Sequence, residues 1–175
     1  AFYVSGQLLT EDYYVANKLM KGFIGSANID TNSRLCMASS VAGMKRAFGA
    51  DSVPAVYEDV EQADLVVLVG SNLAWCHPVL YQRLVAAKQA RPGRRVVTID
   101  PRRTATADIA DLHLPIAPGA DVALWNGLLA AIDDAGAVDR AYVGAHVDGI
   151  DAALVAARVP ADCGLDAGDI AAFHD

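Results

Sequence analysis

Cysteine is scarce in this chain, with three among 175 residues: Cys36, Cys76 and Cys163. Three thiols at such wide spacing give no disulfide framework and no C-x-x-C metal pattern, and they cannot ligate an iron–sulfur cluster. Positive charge is also short. Lys and Arg number 14 against 21 Asp and Glu, a net charge of -7, which argues against nucleic acid as a main partner. That balance still allows one nucleotide in a local pocket. No apolar run approaches the roughly 18 residues needed to span a bilayer, so no membrane insertion is expected. No signal peptide is expected at the opening. Ala1-Phe2-Tyr3-Val4 has no basic stretch and reads as a strand entered mid-protein. Reduced thiols point to the cytoplasm, and the opening points to an internal segment of a longer protein. Two nucleotide fingerprints are absent, G-x-G-x-x-G opening a helix and the P-loop G-x-x-x-x-G-K-[ST]. His77, His113, His146 and His174 form no H-x-x-x-H pair, and no serine-triad signature appears.

Apolar residues are plentiful. They make up 54% of the chain and the mean hydropathy is positive, which is high for a free-standing domain of this length. Some of that surface is expected to pack against something else. Leu65-Val66-Val67-Leu68-Val69 and Val96-Val97-Thr98-Ile99 are continuous apolar runs, the mark of strands buried on both faces of a parallel sheet. Short strands are expected at Phe2–Val4 and within residues 111–116. Helices are expected over residues 10–23, with Thr10 as cap, over 37–48, and over 79–89 with Pro78 in the first turn. A long helix over 122–135 is expected with Asp121 as its cap, and Ala-rich helices over 139–147, 150–159 and 166–173. The alternation of strand and helix predicts an α/β fold: a doubly wound, mostly parallel sheet flanked by helices.

Four stretches carry candidate chemistry. Asn32-Ser33-Arg34-Leu35-Cys36-Met37 joins a polar loop to a helix. A thiol at a helix start, beside Arg34, is favoured as a thiolate and suits a nucleophile or a soft metal ligand. A buried apolar cysteine is the competing reading. In open α/β sheets ligands bind beyond the carboxyl ends of strands. Gly70-Ser71-Asn72-Leu73-Ala74-Trp75-Cys76-His77-Pro78 follows one strand there. Gly70 permits close approach of a ligand, and the helix N–H groups suit phosphate. Asp100-Pro101-Arg102-Arg103-Thr104-Ala105-Thr106 follows the next strand, with an acid suited to a ribose hydroxyl and Arg and Thr groups suited to phosphate. Pro118-Gly119-Ala120-Asp121 ends in a carboxylate that is either a helix cap or an acceptor for a guanine edge. An ordinary loop is the competing reading for each. His113 reads as structural.

The ordered series N-S-R-L-C-M-A-S-S, G-S-N-L-A-W-C-H-P, D-P-R-R-T-A-T-A-D and P-G-A-D resembles the molybdopterin oxidoreductase family, also called the dimethyl sulfoxide reductase superfamily. It covers nearly the whole chain and is most similar to the catalytic subunits of assimilatory nitrate reductases. The resemblance implies molybdenum bis(molybdopterin guanine dinucleotide) as cofactor, Cys36 as molybdenum ligand, and reduction of nitrate to nitrite with electrons from a donor protein or domain. It implies that Gln7 and Asn32 lie near a pterin. Gly70, Ser71 and Asn72 would line phosphates. Thr98, Asp100, Arg102 and Thr104 would follow the ribose and phosphates, and Gly119 and Asp121 would meet guanine. Arg34 would attract nitrate or pair with phosphate. Residues 1–175 would form one cofactor-binding domain, with 1–35 partly belonging to a neighbour, and an iron–sulfur cluster would sit in a separate N-terminal domain. A formate dehydrogenase is the nearest alternative, disfavoured by Met37 after Cys36. A non-catalytic nucleotide-binding domain is the other, and it leaves Cys36 without a role.

Overall fold

The structure is a computed structural model that describes residues 1–33, 35–52, 54–159 and 161–175. The chain divides into two compact units, Ala1–Ala55 and Val56–Asp175.

The first unit opens with β1 (Phe2–Val4), then α1 (Thr10–Asn17), which widens into a π-helical stretch, Lys18–Ile24. Gly25, at φ 74°, terminates it in the left-handed region that glycine tolerates best. Thr10 is the first helical residue and not the cap. Leu9 holds the cap position, and its N–H donates to the Asp12 carboxylate at 3.3 Å. A short β2 (Ile29–Thr31) then pairs in parallel with β1, Phe2 opposite Ile29 and Val4 opposite Thr31. α2 (Ala38–Phe48) follows the Cys36 turn. Met20, 2% exposed, is the buried apolar side chain of this unit among the described residues.

The second unit begins with α3 (Tyr57–Gln62) and β3 (Leu65–Val69). α4 (Leu73–Cys76), α5 (Pro78–Ala90) and β4 (Arg95–Ile99) come next. A 3-10 turn (Ala105–Ile109) leads to β5 (Leu112–Leu114). The helices α6 (Asp121–Asp134), α7 (Arg140–His146), α8 (Ile150–Ala157) and α9 (Ala167–His174) complete it. The three strands are parallel in the order β3-β4-β5. Helices cover both faces. Val97 and Ile99 pack with Leu114, Ile116 and Leu124, against which Ile170 and Phe173 of α9 lie. On the opposite face Val96 packs with Leu73 and Leu84 of α4 and α5. This is the expected α/β class with parallel sheets flanked by helices. One expectation changes: β4 is buried along residues 96–99, but β3 is only half-buried, with Leu65 and Val69 56% and 41% exposed. The cause is position, since β4 is central and β3 lies at an edge of the three-stranded order.

The turn Arg91–Arg95 reads as a basic loop in sequence, yet Arg94 is 2% exposed. Its guanidinium donates to the carbonyls of Val60 and Glu61, and Arg91 adds a second donor to Glu61. Two cations thus satisfy the open carbonyl end of α3, where its dipole is negative. Asp111 does comparable work at the start of β4. Its carboxylate accepts the Val96 N–H at 2.7 Å and pairs with Lys88. Burial pushes the Asp111 carboxyl upward, but the Lys88 hydrogen bond, the Val96 N–H and the charges of Lys88 and Arg95 together hold it below its ordinary 3.8. A carboxyl depressed on folding stabilises above its unfolded pKa and stops doing so as pH falls through its folded pKa. Asp111→Asn is therefore expected to cost about 1 kcal/mol at neutral pH and to flatten the loss of stability below about pH 4. Urea titrations of both proteins at pH 7 and pH 3 check it, and parallel pH profiles contradict it.

Candidate functional site

Cys36 is exposed and stands two residues before α2. The turn that carries it is built on Asn32. The Asn32 carbonyl accepts the N–H groups of Leu35 at 2.9 Å and Cys36 at 3.3 Å. The Asn32 side-chain Oδ1 accepts the N–H of Gly6 at 2.5 Å. The Cys36 thiol points to the Ser33 carbonyl at 3.7 Å, a long and weak contact that leaves the sulfur available. Gln7 is exposed, its N–H donating to Ser5 Oγ at 3.2 Å. A groove of about 520 Å3 runs beside the turn, lined by Ser33, Met37, Ala38, Val41, Ala42, Lys45 and Asp51. The expected role of Arg34 falls outside the described residues.

In the second unit the parallel register sets Val69, Ile99 and Leu114 side by side. The loops after β3, β4 and β5 therefore leave one carboxyl edge together. Gly70 turns at φ 55°, and its N–H donates to the Ile99 carbonyl at 2.8 Å. Ser71 and Asn72 follow, half-buried. The Asn72 carbonyl accepts from Trp75 and Cys76 and so starts α4. Asp100 accepts the Arg102 N–H on Oδ1 at 2.8 Å, which folds the loop back on itself. The Asp100 carbonyl meets His113 Nε2 at 3.1 Å, the structural role expected of that histidine. Arg102 and Arg103 are exposed and make no ion pair among the described residues. Thr104 is half-buried. Gly119, at φ 83°, makes the turn into α6. Asp121 is the exposed first residue of that helix; Ala120 holds the cap position and no side chain caps it.

Thr98 does not reach this edge. It is 3% exposed within β4, with Oγ1 unpartnered. Thr106, expected to offer its hydroxyl outward, is 1% exposed and bonds inward to Ala74 and Asn72. Two contributors carried little sequence signal. Gly6 sits where a Cβ would lie 2.8 Å from Asn32 Oδ1, and the Ala74 N–H is a backbone group. A separate hollow of about 270 Å3, lined by Tyr57, His77, Pro78, Val79, Leu80 and Arg83, involves none of the expected residues.

No group of three His, Cys, Asp or Glu among the described residues could ring a metal ion. Cys36 and Cys76 are exposed thiols among the described residues, and Cys36 stands in the stretch expected to supply a metal ligand, so the expected donor is a lone thiol. It fits a metal that arrives with most of its ligands already in place, as in a pterin dithiolene cofactor, and it does not suit a bare ion. No helix among the described residues is long and apolar enough to cross a membrane.

The profile of the family described as molybdopterin oxidoreductase matches residues 1–143. A nitrate reductase of Klebsiella oxytoca is 62% identical over 99% of this chain, which covers 20% of that protein. A periplasmic nitrate reductase of Desulfovibrio desulfuricans is 47% identical over 73% of the chain and 17% of its own length. Among solved structures, acetylene hydratase from Pelobacter acetylenicus superposes with a TM-score of 0.66 at 25% identity, over 92% of this chain and 22% of that one. The chain thus spans about a fifth of the length of the relatives it matches. With the family profile running through the Cys36 turn and the three carboxyl-edge loops, the chain belongs to the molybdopterin oxidoreductase family.

Proposed function

We propose that this chain is the cofactor-binding segment of an assimilatory nitrate reductase, working in the cytoplasm on molybdenum bis(molybdopterin guanine dinucleotide). The observation that carries the reading is the exposed Cys36 thiol, held on an Asn32-centred turn inside a stretch matched by the family profile. The high identity to proteins named nitrate reductase supports nitrate as the substrate. When bound, the cofactor supplies the two-electron oxygen-atom chemistry that converts nitrate to nitrite.

The residues of this chain hold, orient and tune. Cys36 Sγ ligates the metal as a soft, strongly donating thiolate. Asn32 fixes the turn that presents it, and Gln7 stands near a pterin. Gly70, Ser71 and Asn72 bring backbone and side-chain N–H and O–H donors to phosphate, with Gly70 leaving no Cβ in the way. Asp100 keeps one carboxylate oxygen for a ribose hydroxyl while the other holds the Arg102 N–H. Arg102 and Thr104 serve phosphate. Gly119 lets the chain turn so that the Asp121 carboxylate can accept paired N–H donors of guanine. Arg34 either draws the anionic substrate by charge or pairs with a pterin phosphate. Residues 1–175 act as one cofactor-binding segment of a longer enzyme, with residues 1–35 partly belonging to a neighbouring domain. A separate N-terminal domain would hold an iron–sulfur cluster, through which a donor protein would supply electrons.

The test is made on the full enzyme that carries this chain. It is assayed with reduced viologen plus nitrate, and separately with formate plus an oxidised dye, with molybdenum measured in the same preparation. Nitrate turnover with bound molybdenum is expected. Formate turnover alone would move the assignment to a formate dehydrogenase, and neither activity without molybdenum would leave only a nucleotide-binding domain.

A further inference from the structure

The least expected side chain at the carboxyl edge of the sheet is Thr106. It is 1% exposed, so its hydroxyl has no access to water. A hydroxyl offers one donor and two acceptor sites. Thr106 Oγ1 accepts the Ala74 N–H at 3.0 Å and stands 3.3 Å from Asn72 Oδ1. Two residues of the loop after β3 are thus tied to one residue of the loop after β4, more than 30 positions away.

The geometry points to Thr106 as a positioning residue for the nucleotide site: its buried hydroxyl locks the two loops together and turns the Asn72 amide so that its NH2 group faces outward as a phosphate donor. This rests on the nucleotide-binding reading above. The orientation follows from what a flip would cost. With Oδ1 inward, the hydroxyl hydrogen has an acceptor and the Ala74 N–H has its own. With Nδ2 inward, Oγ1 would accept twice and its hydrogen would be left buried with nothing to donate to. A buried donor without a partner is penalised by its full desolvation, so the oxygen stays inside. Asn72 is half-buried, and no hydrogen bond engages its Nδ2 among the described residues. Its two N–H groups are left to serve an anionic ligand. Thr106 touches no ligand itself; it acts through Asn72 and through the Ala74 end of the lock.

The experiment uses the full enzyme that carries this chain, freed of its cofactor, with GDP as the probe. Amide exchange at Ala74, read by mass spectrometry, reports the lock, and calorimetric titration reports binding. Thr106→Val is expected to speed Ala74 exchange and weaken GDP binding, each by roughly tenfold or more. Thr106→Ser, which restores the hydroxyl, is expected to return both close to wild type. Asn72→Asp still accepts the Thr106 hydrogen but offers no donor, so it is expected to keep Ala74 protected while losing GDP. Wild-type binding that Thr106→Val leaves undiminished overturns the positioning role and leaves the nucleotide reading standing. Absence of GDP binding by the wild type, with Ala74 exchange faster only in Thr106→Val, overturns the nucleotide reading and leaves Thr106 as a lock between loops. If Thr106→Val does not fold, GDP binding by Asn72→Asp equal to wild type overturns the proposal by itself.

Discussion

Cys36→Ser in the full enzyme is expected to lower nitrate turnover by on the order of a thousandfold or more, to below detection in most assays. Serine matches cysteine closely in size but not in softness. Its hydroxyl holds its proton at neutral pH and is a harder donor, whereas a thiolate donates strongly to a soft or borderline metal. Folding should be nearly untouched, because Cys36 is exposed and its sulfur makes only the 3.7 Å contact to the Ser33 carbonyl. A change of no more than about 0.5 kcal/mol is expected from such a surface position. Viologen-coupled nitrate assays and thermal melts of the same two proteins check both halves. Full activity in the serine enzyme would remove Cys36 from the chemistry, and a lost melt would make it structural.

Gly6→Ala carries the second large effect. Gly6 is not among the positive-φ glycines, so its backbone would accept alanine. Space is what forbids it. A Cβ would lie 2.8 Å from Asn32 Oδ1 and 2.9 Å from Ser33 Cα, and the second of these is backbone that cannot swing aside. The same movement breaks the Gly6 N–H bond to Asn32. Asn32 in turn holds the N–H groups of Leu35 and Cys36, so the disturbance arrives at the thiol. Destabilisation of about 2 kcal/mol is expected, together with weaker metal retention in the full enzyme. Gly43→Ala is the matched control. Gly43 lies inside α2 with nothing within 4 Å of an added Cβ, and alanine there should stabilise by roughly 0.5–1 kcal/mol. Chemical denaturation of both variants and metal analysis of the enzyme decide it. Equal stability of the two would show that the Gly6–Asn32 approach matters little.

Elements whose stability is local or purely apolar were the ones legible in sequence. Val96 to Ile99 read as a buried strand because every side chain there enters the interior, and it does. α5, α6, α7, α8 and α9 fall within one or two residues of the ranges their patterns predict. β2 was not legible, because Ile29-Asp30-Thr31 becomes a strand only by pairing with β1 across 27 positions. α4 and the 3-10 turn at 105–109 carry the sequence pattern of loops. Both are about one turn long and are held by the Thr106 hydroxyl, a tertiary bond with no local pattern. The candidate site divides the same way. The Cys36 turn was visible from its polar residues ahead of an amphipathic helix, and the carboxyl-edge loops from their place after apolar runs. Which way a threonine faces was not visible. Thr98 and Thr106 read as donors to a ligand, and both are buried.

The role proposed for Cys36 is that its sulfur binds molybdenum in the full enzyme. Absorption spectroscopy at the molybdenum K-edge, on the full enzyme and on its Cys36→Ser variant, tests it without recourse to activity. One fewer sulfur neighbour around molybdenum is expected in the variant, replaced by oxygen or by nothing. Identical sulfur shells in the two proteins, at equal molybdenum content, would contradict it.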